Sequence, residues 1–129
     1  MKAPHPTEGE LAILSVLWSR GRPTTVREVH EVLSRSKDTA YTTVLKMLTI
    51  MTEKGLVRRD DSERSHTYVP VHGEPVVQGS LLKDLIQRAF SGSALKLVQR
   101  ALDDDTASPE ELEQISRLIS QAKAKRKQR

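Results

Sequence analysis

The chain is 129 residues long, 36% hydrophobic and 3% aromatic, with no cysteine and a formal net charge of +4. That length allows one domain, or one small domain with an appendage, and a core modest enough that a partner chain would help. Lack of cysteine excludes disulfides, thiolate metal sites and cysteine nucleophiles; with no apolar run longer than "LAILSVLW" and a polar start, "MKAPHPTEGE", the chain is expected to be cytosolic without membrane insertion.

Three boxes of the form S/T-x-x-E, at Thr7 to Glu10, Thr25 to Glu28 and Ser108 to Glu111, mark helix starts. In each the hydroxyl can accept from an early helical N–H while the glutamate reaches back. The first helix, about Thr7 to Arg20, sets Leu11, Leu14, Leu17 and Trp18 on one face. It stops at "RGRP", where Gly21 permits a left-handed cap and Pro23 blocks continuation. The second, about Thr25 to Ser34, is short, with Val26, Val29, Val32 and Leu33 apolar. "SRSKD" then turns the chain into a third helix, about Thr39 to Lys54, ending at Gly55.

At about 100° per residue, Val44, Met47, Leu48 and Met51 fall on one side of that third helix. Thr39, Thr42, Thr43, Lys46, Thr49 and Glu53 fall on the other. Threonine costs a helix roughly a few tenths of a kcal/mol per residue in lost rotamer freedom, so an exposed row of them asks for a reason. Tyr41 projects nearer the apolar side, and its ring is expected to pack with only the hydroxyl reaching out.

Beyond Gly55 the pattern turns extended: "LVRRD", the polar turn "DSERS" and "HTYVP", ended by Pro70, read as a hairpin. Three short helices followed by a hairpin is the order of a winged helix-turn-helix. The expected fold is therefore mainly α with a small β-hairpin wing, the DNA-binding domain occupying residues 1–73 and a helical dimerisation region with a basic tail occupying residues 74–129. In the latter, "VVQGSLLKDLIQRAF" is followed by a break at Ser91 to Ser93, then "ALKLVQRAL", the loop "DDDTAS" and a last helix. Leu95, Val98, Leu102, Leu112, Ile115, Leu118 and Ile119 exceed what so short a segment can bury alone, so they are expected to form the interface of a homodimer. The tail from Lys123 to Arg129 holds five Lys and Arg and no acid, whereas residues 1 to 73 carry 11 basic and 9 acidic groups. The argument for DNA must therefore come from shape rather than from net charge.

A recognition helix needs small residues and hydrogen-bonding groups at its N-terminal turns. Thr39, Tyr41, Thr42, Thr43 and Lys46 answer that need, and Arg58, Arg64, Ser65 and His66 surround the turn where a wing would meet phosphate. Arg58 and Arg59 alternate on a strand, so one of the two is expected to face DNA. A winged helix used as a protein-binding module, with the threonine face docking a partner, is the alternative, and steep weakening with salt would mark DNA. His5, His30, His66 and His72 lack metal-pair spacing, "DDD" at 103 to 105 fits a solvated loop before a helix, and no nucleophile–base pair or phosphate loop can be read. No metal, no cofactor and no enzyme activity are expected.

Several stretches together resemble the penicillinase-repressor family, the BlaI/MecI group of bacterial winged-helix repressors. They are "TEGELAILSVLWSRGRPTTVREVHEVL", "AYTTVLKMLTIMTEKGLVRR" and "RSHTYVP", with Glu10, Leu17-Trp18, Thr25 to Val29, Ala40 to Val44, Glu53 to Gly55, Arg64, Tyr68 and Pro70 as the matching positions. The resemblance covers about residues 7 to 73 closely and the helical tail in outline. It implies a homodimeric repressor with each recognition helix in a major groove of a palindromic operator, released when a membrane-bound sensor metallopeptidase triggers cleavage in the dimerisation region. By position Thr42, Thr43 and Lys46 fall in the family's reading segment and Arg64 in its wing. The Asn-Phe bond cut in well-known members falls at Arg100-Ala101 here, Leu45 stands where members often carry Arg, Lys or Met, and the cysteine cluster of copper-responsive relatives is absent.

Overall fold

A computed structural model describes residues 5–128; residues 1–4 of the polar start and residue 129 of the basic tail lie outside the described residues. The chain forms two compact units, one ending at Lys83 and the other beginning at Asp84. That division falls inside a helix, further along than the 73/74 boundary expected where the hairpin ends and helical periodicity resumes.

The first unit contains α1 (Glu8–Arg20), β1 (Thr24–Thr25), α2 (Val26–Ser34), α3 (Tyr41–Lys54), β2 (Val57–Asp60), β3 (Thr67–Pro70) and the start of α4 (Glu74–Ala89). The hairpin of β2 and β3 pairs Val57 with Pro70 and Asp60 with Thr67, and β1 joins on the other edge of β3, so the sheet runs β1-β3-β2. The third strand is absent from the sequence reading because two residues are too few to show alternation. Thr25 ends that strand and also caps α2, with the Glu28 N–H donating to its hydroxyl at 3.2 Å. One residue thus ties the wing to the helix pair.

Around α1 the buried arc is wider than the expected stripe. Ile13 and Val16 are buried with Leu14 and Leu17, while Leu11 and Trp18 are only half-buried. The reason is that α1 packs against α2 on one side and β3 on the other, so two neighbouring faces lose water. With Val29, Val44, Leu48, Met51 and Tyr68 these residues make one core, each full-sized apolar side chain contributing about 1.5–3 kcal/mol of burial. Gly9 marks a close approach: a Cβ there would lie 2.8 Å from the Met47 Cε of α3. Trp18 donates its indole N–H to the His72 carbonyl at 3.0 Å, which anchors the chain leaving the wing.

Glu10 is only 4% exposed. Its carboxylate accepts from the Thr7 N–H at 2.8 Å and from Lys54 Nζ at 2.9 and 3.0 Å, joining the start of α1 to the end of α3. Burial alone would raise its pKa, but the Thr7 N–H and the Lys54 ammonium together hold it below the ordinary carboxylate range.

The second unit holds the end of α4, then α5 (Ala94–Asp103) and α6 (Pro109–Lys127). Their ends are well built: Ser93 accepts from the Lys96 N–H, and Ser108 and Glu111 form a full capping box with Pro109 at the first turn. Yet neither helix has a single buried residue.

Candidate nucleic-acid interface

Helix α3 is built as a face with a back. Val44, Leu48 and Met51 are buried in the core, and Thr42, Thr43, Lys46 and Thr49 are exposed on the opposite side. Thr49 donates its hydroxyl to the Leu45 carbonyl of its own helix at 2.9 Å. The hydroxyls of Thr42 and Thr43 make no hydrogen bond among the described residues. With Lys46, which makes no ion pair among the described residues, they are side chains of this face still free to bond something outside the protein.

Two expectations for this helix are corrected. Thr39 precedes it, since Ala40 is the N-cap and α3 begins at Tyr41; the Thr39 hydroxyl turns back to the Lys37 carbonyl at 3.0 Å. The ring of Tyr41 does not pack into the core but is 45% exposed, because at the first helical position it stands beyond the end of the apolar row. It meets the His30 ring edge to face, with centroids 5.7 Å apart. Ala40 offers no side-chain cap, unlike Thr7, Thr25, Ser93 and Ser108 at the other capped helices.

On the wing, the two arginines fall on opposite faces of β2 and meet different neighbours. Arg59 stands opposite buried Tyr68 and its Nε donates to the Asp61 carboxylate at 2.8 Å. Arg58 stands opposite Val69 on the other face, exposed and without an ion pair among the described residues. Asp61 also accepts from His66 Nδ1 at 2.7 Å, so His66 is held to the base of the turn rather than extended from it. Asp60 accepts the Ser62 N–H at 2.9 Å, which shapes the tip and keeps the Asp60 carboxyl below its ordinary range. Arg64 and Ser65 are exposed at that tip.

A cleft of about 480 Å³ gathers these elements: Thr25, Val26 and Arg27 from the start of α2, Tyr41 and Leu45 from α3, and Arg64, Ser65, His66 and Tyr68 from the wing. The structure thus brings Tyr41, Arg64, Ser65 and His66 to one opening, while Arg58 lies outside its lining. Arg27 was not among the residues expected at the site. Arg27 had a signal in the sequence, since it follows Val26 of the core directly and so must point outward from the first turn of a capped helix. Neutral and cationic groups line this opening, a combination suited to an anionic backbone beside apolar base edges.

The penicillinase repressor family profile matches residues 6–121. A Mycobacterium tuberculosis protein named transcriptional regulator BlaI is 46% identical over 85 residues, 65% of this chain and 62% of that protein, so the match spans less than two thirds of its length. The penicillinase repressor of Bacillus licheniformis is 24% identical over 127 residues, 98% of each chain. In three dimensions the chain is similar to the solution structure of the monomeric form of Bacillus licheniformis BlaI in complex with the blaP half-operator, with a TM-score of 0.50 and 25% identity over 58% of this chain and 90% of that one.

Proposed function

Because this chain belongs to the penicillinase repressor family, whose members are repressors rather than enzymes, we propose that it is a winged-helix transcriptional repressor that binds a palindromic operator as a homodimer. The observation that carries the reading is the face of α3 formed by Thr42, Thr43 and Lys46, exposed and unpartnered over a buried back. In the major groove those hydroxyls and the lysine bond base edges and phosphate, and the threonine methyls suit thymine. Arg58, Arg64 and Ser65 meet phosphate beside the groove, where they set position rather than sequence. Tyr41 and Arg27 border the same opening.

One winged helix reads few base pairs, so useful affinity at cellular salt calls for two tethered copies. Leu95, Val98, Leu102, Leu112, Ile115, Leu118 and Ile119 supply the interface in this reading; Leu95 is 75% and Leu118 62% exposed in the single chain, an arrangement that water tolerates poorly. Release follows from cutting the tether: a membrane sensor peptidase system would trigger cleavage between Ser91 and Ala107, separating α6 from the operator-binding unit. Arg100-Ala101 lies within α5, so a cut there requires that helix to open first. Among the described residues no helix is long and apolar enough to cross a membrane.

Anisotropy titration of a palindromic operator against salt tests the reading. Binding should weaken steeply as salt rises, and Thr43→Ala with Lys46→Ala should each cost roughly 1–3 kcal/mol of operator affinity without lowering the melting temperature. Operator affinity unchanged in the double variant, or insensitive to salt, rejects the α3 face as the reading surface and favours a protein-docking role.

A further inference from the structure

Helix α3 begins without a side-chain cap, and its start is held from outside. His30, on α2, places Nε2 2.7 Å from the carbonyl oxygen of Thr39, the residue just before the N-cap Ala40. A carbonyl only accepts, so Nε2 carries the hydrogen and donates. The same imidazole meets the ring of Tyr41, the residue just after Ala40, edge to face at 5.7 Å and 72°. One side chain therefore grips the chain on both sides of the N-cap.

Ordinary capping would place a Ser, Thr, Asp or Asn at residue 40, whose oxygen would occupy an early helical N–H. Here those first amides have no side-chain acceptor, and only from the Thr43 and Val44 N–H groups onward do bonds run back to the Ala40 carbonyl, at 3.1 and 3.2 Å. An uncapped end frays, and fraying would blur the placement of Thr42 and Thr43, which sit in the first turn. We infer that His30 is a positioning residue of the reading helix: its Nε2–H to Thr39 and its ring contact with Tyr41 replace the missing cap and fix the first turn of α3 while leaving the early amides open toward DNA. This rests on the reading of α3 as the recognition helix, but the gripping of the first turn is a property of the free protein and is separable from it.

Three variants of the full chain divide the roles. His30→Phe keeps a ring against Tyr41 and loses the donor; His30→Gln keeps an amide donor near the Nε2 position and loses the ring; His30→Ala loses both. In the free protein, the long-range imidazole nitrogen spectrum should show His30 as the Nε2–H tautomer, and amide exchange of Thr43 and Val44 should quicken in His30→Phe and recover in His30→Gln. On DNA, affinity for the palindromic operator should fall roughly threefold to tenfold in His30→Phe, the range set by one lost hydrogen bond, and return toward wild type in His30→Gln, while affinity for random-sequence DNA stays unchanged. First-turn exchange that is the same in wild type and His30→Phe overturns the inference whatever the DNA result. Quickened exchange in a protein whose wild type shows no preference for operator over random DNA upholds the grip and rejects the recognition reading instead. Equal loss on operator and random DNA, without rescue by His30→Gln, overturns the positioning role in favour of a general structural one.

Discussion

The two units of this chain are built with the same helix-start chemistry and differ in what lies behind it. In the first, α1 and α2 carry complete capping boxes and also bury Ile13, Leu14, Leu17 and Val29 in a shared core. In the second, α6 carries an equally complete box and α5 is capped by Ser93, yet nothing on either helix is buried. Caps define where a helix begins and contribute on the order of 1 kcal/mol each, but helices of this length take most of their stability from packing an apolar face. A unit whose helices are correctly started and unpacked is one whose core is supplied elsewhere, and a second copy of the chain is the occupant we propose.

The largest expected effect comes from separating the units. A chain ending at Lys83 keeps buried Val77 and Ser80 of α4, so it should fold as a monomer, and light scattering on it beside the full-length protein should report monomer and dimer. Its operator affinity should fall by roughly two to four orders of magnitude, because the second half-site is no longer tethered. A full-length chain that is monomeric at micromolar concentration removes the reason for the contrast between the units.

Equal truncations on the two sides should then behave unequally. Leu17→Ala in the core of the first unit should cost roughly 2–5 kcal/mol of its stability, read by thermal or urea unfolding of the Lys83-terminated chain. Leu118→Ala, at a side chain 62% exposed, should leave the first unit's transition in the full-length protein where it was and raise the dimer dissociation constant, read by sedimentation. If Leu118→Ala leaves dissociation unchanged, α6 is not the interface.

The smallest effect separates charge from packing within the first unit. Glu10 has a folded pKa below its ordinary value of 4.5, so its contribution is fully present above about that pH and is lost as pH falls through the folded value. Glu10→Gln should cost about 1.5–3 kcal/mol at neutral pH, the range for hydrogen bonds to a charged group, and should flatten the acid limb of the stability profile. An acid limb as steep in Glu10→Gln as in wild type assigns acid loss to other carboxylates, Glu28 among them; its pKa is lowered first by the Thr25 N–H hydrogen bond and further by Arg20.

Much of the local chemistry was legible where one residue's reason lay within four positions of it. Capping boxes at Thr7, Thr25 and Ser108, the left-handed glycines at 21 and 55, and the apolar row of Val44, Leu48 and Met51 could be read because their partners lie within a turn along the chain. So could the division of α3 into a threonine face and a core face, which follows from period alone. What tertiary structure decided was every property set by a partner distant in sequence. The two-residue strand β1 exists because β3 lies beside it, and the arc of α1 widened because two elements press on it. Arg58 stands opposite Val69 and Arg59 opposite buried Tyr68, since register and not composition sets which cross-strand neighbour each residue meets. Ala40 begins α3 uncapped, with His30 from another helix lying against the chain on both sides of it. Short-range hydrogen bonding and helical period are carried by neighbouring residues and survive in one dimension. Face, burial and freedom to bind depend on which surfaces the fold brings together, and those distances do not exist until the chain has folded.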